Sequence, residues 1–323
     1  MKNLFVARSP LQVINAIEAV KHFKLTNNTL VLIYNRSTAN TKQMRFLLSL
    51  LEWEEVIHIE DGYGSKILKY VNLIKKLRKE RFNYIFVGEL GVSYKMIIAN
   101  IKKEKVFLMD DGTATIVYYN TFIKQDRYNK YNFKELRFLL FGLKIKIRDK
   151  INLFTYFDLA PVHGNEVIKN NLAYFKRKYL SNAIKENDIV YFIGQPADIF
   201  MDIDVYKKDI EALIKKFNKK IVYIPHRLEV YKQQEAINSI ESDLFEVKKL
   251  DVPIELYFLQ SDVYPMHIVS YYSTALVTLK FLFDMCINEY IIVPKNSINE
   301  KRYEGIESCY SIFKESGMHQ LQI

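Results

Sequence analysis

Glycine and cysteine are both scarce in this sequence, with 10 glycines and two cysteines in 323 residues. No glycine-rich dinucleotide fingerprint or phosphate-binding loop follows any expected strand, which argues against a nicotinamide cofactor or ATP. Cys286 and Cys309 have neither the spacing of metal ligands nor that of a disulfide framework. This cysteine usage is typical of a reducing compartment, and we expect a cytoplasmic protein.

Long apolar runs are also absent. The apolar stretch at the start of the chain ends at Arg8, which makes it shorter than the roughly 7–15 residues of a secretory signal core. No uncharged apolar run approaches the roughly 20 residues that a membrane-spanning helix needs. We therefore expect a soluble protein, or one that binds a membrane peripherally.

Positive charge is abundant, and the formal net charge is +10. Basic residues cluster at positions 75–79, 144–150 and 176–178, where they alternate with Phe, Leu and Ile. Such clusters suit an anionic membrane surface, although lysine-rich helices also have this pattern when one face is simply solvated. No nucleic-acid recognition motif accompanies the charge, so nucleic acid is not expected as a partner.

Apolar periodicity predicts alternating strands and helices in both halves of the chain. The expected strands are 3–7, 29–34, 56–59, 84–88, 105–109, 189–193, 220–224, 245–248, 267–271 and 290–293. The expected helices are 11–21, 41–51, 66–80, 93–100, 206–217, 232–240, 253–259, 274–285 and 302–315. This alternation predicts an α/β protein with two mainly parallel sheets that face a central cleft.

The length of the chain fits two domains, because one core seldom grows past about 250–300 residues. We expect an N-terminal domain at 1–150, a passage between domains at 151–187 and a C-terminal domain at 188–323. An irregular, tyrosine-rich stretch, 118–131, follows the fifth strand. Long loops of this kind are often functional.

A pair of carboxylates and a glycine, Asp110-Asp111-Gly112, follows an expected strand. At a sheet edge, Asp111 has the position that a general base requires, and repulsion from Asp110 would raise the pKa of the pair. A solvated turn is the structural alternative. Pro225-His226 follows another strand, where an imidazolium of near-neutral pKa could donate a proton to a departing phosphate.

Two further strand ends carry polar groups. Gly194-Gln195-Pro196 ends an expected strand and is followed by Asp198, while Ser273-Thr274 opens an expected helix. Hydroxyls and free amide groups at a helix start can bind phosphate, but helix capping explains Ser273 equally well. Asp202 and Asp204 have the spacing of a metal-binding pair that bridges a cation to a diphosphate.

These motifs together resemble the bacterial sialyltransferases of glycosyltransferase family 52. The resemblance rests on segments that run from the first strand to near the last helix, at 5–12, 109–113, 192–196, 224–227 and 271–276. It implies a GT-B fold of two Rossmann-like domains and inverting, metal-independent transfer of sialic acid, with no cofactor. The donor would be CMP-sialic acid, held mainly by the C-terminal domain.

The resemblance also implies roles for single residues. Asp111 would be the candidate base and His226 the acid toward the CMP phosphate, while Gly194, Gln195, Pro196, Pro225, Ser273 and Thr274 would contact the nucleotide. In some relatives the base directly follows the Gly-x-Pro turn, where this chain has Ala197 and then Asp198, so Asp111 and Asp198 compete for that role. Relatives usually have His-Pro, whereas here Pro225 precedes His226.

The acceptor implied is a terminal galactose on lipooligosaccharide or capsular polysaccharide, reached at the inner face of the bacterial cell membrane. Because relatives can dimerise, the resemblance also allows a homodimer. Two rival hypotheses come from other classes. One is a transferase of glucose, galactose or N-acetylglucosamine that uses a nucleoside diphosphate donor and a metal; the other is a non-catalytic protein that binds anionic glycans or nucleic acid.

Overall fold

The computed structural model describes residues 2–34, 37–60, 66–129, 133–298 and 300–323. Tyr131, at the end of the tyrosine-rich stretch, lies outside the described residues. The chain divides into two compact units, Met1–Tyr174 and Phe175–Ile323. No helix within the described ranges is long and apolar enough to cross a membrane.

The first unit alternates strands and helices over most of its length. Its strands are β1 (Lys2–Ala7), β2 (Asn28–Tyr34), β3 (Glu55–Glu60), β4 (Arg81–Val87), β5 (Lys102–Met109), β6 (Ile151–Thr155) and β7 (Val167–Lys169). Its helices are α1 (Pro10–His22), α2 (Thr38–Leu48), α3 (Lys66–Leu77), α4 (Val92–Asn100), α5 (Ala114–Tyr118) and α6 (Phe133–Leu136). A π-helix covers Tyr119–Ile123, a 3-10 helix covers Arg137–Phe141, and α7 (Ala173–Tyr179) spans the division between the units.

The first sheet is parallel throughout the described residues, in the order β3-β2-β1-β4-β5-β6-β7. Its central strands are almost wholly apolar because helices cover both faces, and Phe5 of β1 stacks on Phe86 of β4 with ring centroids 4.7 Å apart. Residues 151–174, which we expected to join the domains, instead add β6 and β7 to this sheet. All five residues of β6 are buried against β5, which gives the segment a core position.

The second unit repeats this architecture. Its strands are β8 (Ile184–Glu186), β9 (Ile189–Ile193), β10 (Lys220–Ile224), β11 (Phe245–Val247), β12 (Val263–Pro265), β13 (His267–Ser270), β14 (Ile287–Ile291) and β15 (His319–Leu321). Its helices are α8 (Ile203–Phe217), α9 (Tyr231–Asn238), α10 (Ile254–Gln260), α11 (Ala275–Leu282) and α12 (Glu300–Glu315). Short 3-10 helices lie at Ala197–Ile199 and Lys295–Ser297.

The second sheet is also parallel in the part of the chain that the structure describes, in the order β11-β10-β9-β13-β14-β15, and β8 pairs with β12 apart from it. Its core contains stacked aromatic rings, such as Phe192 on Tyr223 at 5.6 Å between centroids. Every strand expected from the sequence is present, with ends that differ by a few residues. The α/β class with parallel sheets is therefore confirmed.

Candidate functional site

The strand order of the first sheet changes direction between β1 and β4. At such a point the loops that leave neighbouring strands diverge and open a crevice at the carboxyl ends of the strands, where ligands of α/β proteins bind. Ser9 follows β1, Glu89 follows β4 and Asp111 follows β5. We call the carboxyl ends of these three strands the first carboxyl edge.

Asp111 is half-buried at this edge and held by neighbouring hydroxyl groups. Its Oδ1 accepts a hydrogen bond of 2.9 Å from Oγ of Ser9, and its backbone N–H donates to Oγ1 of Thr115 at 2.9 Å. Ser9 is also the N-cap of α1 and accepts from the N–H of Gln12. Gly112 has φ +61°, which places the turn after Asp111 in the left-handed region that favours glycine. The carboxylate is thus fixed in orientation and partly open.

Asp110 points the other way, into the core, and is fully buried. Its carboxylate accepts hydrogen bonds of 2.7 Å from Oγ1 of Thr155 and from the N–H of Tyr156, and its carbonyl accepts one from Nδ2 of Asn15. Burial raises the pKa of Asp110 to about 7. We expected repulsion between the two carboxylates to raise this pKa, but the cause is the loss of hydration on burial. The hydrogen bonds of Asp110 connect the end of β5 to the end of β6.

Arg8, Glu89 and two tyrosines complete the first carboxyl edge. Nη1 of Arg8 lies 3.7 Å from Oε1 of Glu89. Burial, together with the charges of Glu89 and Asp111, raises the pKa of the Tyr118 hydroxyl to about 12. The pKa of buried Tyr94 is raised well above its usual value by burial and then by Glu89. Both phenols therefore stay protonated and can donate hydrogen bonds beside the carboxylates.

The second sheet has the same kind of reversal, between β9 and β13. Gly194-Gln195-Pro196 follows β9, Pro225-His226 follows β10, and Ser273 lies three residues after the end of β13. Because these strands are neighbours and parallel, their carboxyl ends meet at one edge, which we call the second carboxyl edge. The structure thus brings these sequence-predicted residues together, while Asp111 belongs to the first unit.

His226 lies half-buried on the loop after β10. Burial and the charge of Arg227 lower the pKa of its ring to about 4, which corrects the near-neutral pKa that we expected from the sequence. Nδ1 accepts a hydrogen bond of 3.2 Å from the backbone N–H of Leu228. The neutral ring must then carry its proton on Nε2, which leaves that atom as a hydrogen-bond donor.

A buried carboxyl group supports the loop that carries His226. Oε1 of Glu229 accepts hydrogen bonds from the N–H of His226 at 2.7 Å and from the hydroxyl of Tyr223 at 2.8 Å. Its Oε2 is buried and makes no hydrogen bond among the described residues. Burial raises the pKa of Glu229 to about 7. A Cβ at Gly194 would lie 2.4 Å from Oε1 of Glu229, so this turn needs glycine for space.

Gln195 connects the loops of the second carboxyl edge through hydrogen bonds inside the protein. Its side-chain oxygen accepts a hydrogen bond of 2.8 Å from the N–H of Tyr272, which ties the loop after β9 to the loop after β13. Its backbone carbonyl accepts from Nε2 of Gln233, and its backbone N–H donates to the hydroxyl of Tyr206. Much of the polar capacity of Gln195 is therefore used inside the protein, and its contact with a nucleotide stays a prediction.

The remaining candidates at this edge are more open. Asp198 is exposed on the 3-10 helix Ala197–Ile199, which begins after Pro196. Ser273 is half-buried, and its Oγ accepts a long hydrogen bond of 3.3 Å from the N–H of Ala275, while Thr274 is exposed at the start of α11. Both hydroxyls lie at the start of α11, where the helix dipole favours an anion. The N–H groups of Ala275, Leu276 and Val277 already donate to Oγ of Ser273, the carbonyl of Ser273 and the carbonyl of Thr274.

Asp202, the first of the two spaced aspartates, has a structural role. It is the N-cap of α8 and accepts a hydrogen bond of 2.8 Å from the N–H of Asp204. Within the described ranges, no group of three or more His, Cys, Asp or Glu side chains is arranged to hold a metal ion. Helix capping alone accounts for the Asp202-Ile203-Asp204 spacing.

Sequence reasoning missed several members of both edges. The sequence analysis did not predict Glu89, Tyr94 or Gln233 as site residues. Glu89 nevertheless follows β4 as directly as other candidates follow their strands. The burial of Glu229 could not be predicted from the local sequence pattern. Position at a strand end was the signal that could have found Glu89.

No family model matches the chain. A curated protein, the flagellar motor switch protein FliG of Buchnera aphidicola, is 25% identical over 104 residues, which is 31% of this chain and 32% of that protein. The chain thus matches about a third of that relative's length. So partial and weak a likeness identifies no family.

Solved structures match nearly the whole chain. A protein from Listeria monocytogenes named as a UDP-N-acetylglucosamine 2-epimerase is 10% identical, with 98% of this chain and 89% of that chain covered and a TM-score of 0.60. The UDP-GlcNAc 2-epimerase of Neisseria meningitidis, solved with UDP-GlcNAc, is 13% identical, with 98% and 91% covered and a TM-score of 0.53. The enzyme of that name from Methanocaldococcus jannaschii is 16% identical, with 97% and 92% covered and a TM-score of 0.52.

At such low identity the likeness speaks for the fold alone. It agrees with the two parallel sheets. The chain is an α/β protein of the GT-B fold class, with a Rossmann-like sheet in each of its two units.

Proposed function

We propose that this protein is a glycosyltransferase that moves sialic acid from CMP-sialic acid to a terminal galactose of lipooligosaccharide or capsular polysaccharide. The GT-B fold supports the general part of this proposal, that the protein is an enzyme acting on a nucleotide sugar. The specific part, transfer from CMP-sialic acid, rests mainly on one observation: His226 lies at the second carboxyl edge, and its Nδ1 accepts a hydrogen bond from the N–H of Leu228. That contact leaves the Nε2 proton available to a ligand.

Transfer of sialic acid from CMP-sialic acid requires that the departing phosphate be stabilised. Sialic acid leaves CMP as an oxocarbenium-like species, so negative charge develops on the phosphate in the transition state. A fixed donor at Nε2 of His226 meets that charge, and a bound phosphate would raise the ring's pKa from about 4 toward neutrality. The hydroxyls of Ser273 and Thr274 at the start of α11 offer further donors.

Deprotonation of the acceptor hydroxyl requires a base, and two carboxylates are available. A hydrogen bond from Ser9 orients the carboxylate of Asp111, which lies among polar groups. Asp198, in contrast, is exposed on a short 3-10 helix. We favour Asp111, because a base must be held in a fixed position to act efficiently. The proposed reaction is metal-independent and inverting, since a single phosphate leaving group can be stabilised by protein donors.

A second candidate function is chemistry on a UDP-sugar. The solved structures with the same fold are named for UDP-GlcNAc, and one of them was solved with that compound. A chain of this fold could transfer or epimerise such a sugar with the same edge of the second sheet. The choice between CMP and UDP donors is therefore the first question for experiment.

The decisive assay measures nucleotide release by the purified protein in EDTA from CMP-sialic acid and, separately, from UDP-GlcNAc. We expect CMP release that rises with a lactose acceptor, falls about 100-fold or more in His226→Ala, and is unchanged in the matched control His319→Ala, an exposed strand residue. Asp111→Asn should lose about 100-fold and Asp198→Asn less than about tenfold if Asp111 is the base. Turnover confined to UDP-GlcNAc, or full activity in His226→Ala, would refute the proposal.

A further inference from the structure

Four apolar side chains project from a short segment of the first unit into solvent. Phe133 is 88% exposed, Leu140 is 86% exposed, and Leu136 and Leu139 are also exposed. They belong to α6 and the 3-10 helix Arg137–Phe141 that continues it. We call these four side chains the apolar tip. Contiguous exposed apolar groups of this kind mark an interaction surface more often than scattered single ones do.

The segment that bears the apolar tip is anchored firmly. Phe138 and Leu143 are buried in the first core, and the buried Nζ of Lys95 lies 3.3 Å from Oε1 of Glu135. Asn100 fixes the following chain with two hydrogen bonds, its Nδ2 donating to the carbonyl of Lys144 at 2.7 Å and its Oδ1 accepting from the N–H of Lys144 at 2.8 Å. The tip is therefore presented by a rigid support and does not need to fold on binding.

The charges around the apolar tip are almost all positive. Exposed basic residues within and just after the segment are Lys134, Arg137, Lys144, Lys146 and Arg148. We call these five residues the basic rim. The acidic side chains of this stretch are committed elsewhere, since Glu135 is buried against Lys95 and Asp149 lies 2.6 Å from Lys103. Exposed apolar side chains with cations within and just after their segment are complementary to an anionic bilayer, where acyl chains take the apolar groups and headgroups take the charges.

We infer that the apolar tip and its basic rim dock this protein on an anionic lipid bilayer. A second copy of the chain is a poorer occupant, because it would bring two basic rims together. An acidic protein could match the charge but would have to supply a recess for Phe133 and Leu140, whereas a bilayer accepts them without a shaped surface. The inference does not depend on the identity of the sugar donor.

The apolar tip lies near the first carboxyl edge. Lys95, which anchors Glu135, lies in the first turn of α4, and α4 begins shortly after Glu89 of the first carboxyl edge. A bilayer against the apolar tip would therefore approach the end of the first sheet where Asp111 is held. An enzyme whose acceptor is carried on a lipid would gain from this arrangement.

Sedimentation of the full chain with vesicles tests the inference. We expect binding to vesicles of mixed phosphatidylcholine and phosphatidylglycerol, weak binding to phosphatidylcholine alone, and a decrease as salt concentration rises. Phe133→Ser/Leu140→Ser should lower partition into the mixed vesicles by about tenfold or more. The matched control Ile184→Ser/Ile323→Ser, which changes two exposed apolar residues of the second unit, should bind like the wild type.

A second pair of variants separates charge from apolar insertion. Lys144→Gln/Lys146→Gln should lose about tenfold and most of the preference for anionic vesicles, whereas Lys215→Gln/Lys216→Gln on α8 should not. CMP release on soluble lactose should stay unchanged in all four variants, so failure of the proposed reaction would not be mistaken for failure of docking. Absence of vesicle binding, binding that survives Phe133→Ser/Leu140→Ser, or conversion of a dimer to a monomer by that change would overturn the inference.

Discussion

The two carboxyl edges use the same fold position in different ways. The first gathers charge: Arg8, Glu89 and Asp111 lie together, with phenols that remain protonated. The second is supported by a buried network of neutral or neutralised groups, in which Glu229 carries a raised pKa and His226 a lowered one. The first edge is suited to moving a proton from a polar acceptor, and the second to holding a nucleotide through hydrogen bonds.

The sharpest contrast within the first edge is between two adjacent aspartates. Asp110→Ala should destabilise the protein by about 3 kcal/mol, because the N–H of Tyr156 loses its buried acceptor. Asp111→Ala should cost less than about 1 kcal/mol, since its partner Ser9 can turn to water. Urea unfolding measures both. Asp110→Asn, which keeps an acceptor, is the control, and equal destabilisation by the two alanines would contradict the division into a structural and a functional carboxylate.

A comparison of two glycines tests the packing of the second edge. Gly194→Ala should cost about 2 kcal/mol, because the new Cβ would press on the Glu229 carboxyl group and the Tyr223 hydroxyl. Gly305→Ala, in the exposed face of α12 with no atom within 4 Å of the new Cβ, should stabilise by about 0.5–1 kcal/mol. Thermal unfolding of both variants checks the signs. A neutral Gly194→Ala would mean that Glu229 does not pack against the turn in solution.

The sheets and most helices of both units could be predicted because apolar periodicity is local. Five of the six strands of the second sheet were predicted, β15 being missed, and β9 and β10 have the predicted bounds. β6 and β7 were missed because they are short and follow a long irregular stretch. β6 joins the first sheet by pairing with β5, about 45 residues away along the chain, with Val106 opposite Ile151, and β7 then pairs with β6.

The candidate site was predictable only in its outline. Strand ends located Asp111 and His226, since the carboxyl edge of a parallel sheet follows from topology. The pKa of His226 was not predictable, because it depends on burial by residues distant in sequence and on Arg227. The inward turn of Asp110 was equally hidden, since it is set by Thr155 and Tyr156 of β6 and its loop.

A pH experiment sharpens the contrast between Glu229 and His226. The pKa of Glu229 is about 7 in the folded protein against 4.5 in the free side chain, so between these values the folded state holds a proton that the unfolded chain has lost. Stability from this group therefore falls as pH rises from 4.5 to 7. His226 has the opposite sign, because its pKa falls from 6.5 to about 4 and stability is lost as pH decreases through that window.

Glu229→Gln removes the first of these two contributions and leaves the second. The difference in unfolding free energy between wild type and variant should change by about 2 kcal/mol between pH 5 and pH 7, in favour of the variant at the higher pH. Urea unfolding at several pH values measures it, with Glu241→Gln, on the exposed loop after α9, as the control. A difference that is flat with pH would show that Glu229 is not protonated in the folded state.

The smallest expected change in stability decides what the Ser273 hydroxyl does. Its hydrogen bond to the N–H of Ala275 is long, at 3.3 Å, so Ser273→Ala should cost no more than about 0.5 kcal/mol if capping is its role. If the hydroxyl binds the donor phosphate, the same change should raise the KM for CMP-sialic acid several-fold while stability stays nearly constant. Thr274→Ala, beside it but exposed and without a capping bond, is the comparison. A fall in stability with an unchanged KM would make Ser273 a helix cap, and the phosphate would then have to be held by Nε2 of His226 and the hydroxyl of Thr274.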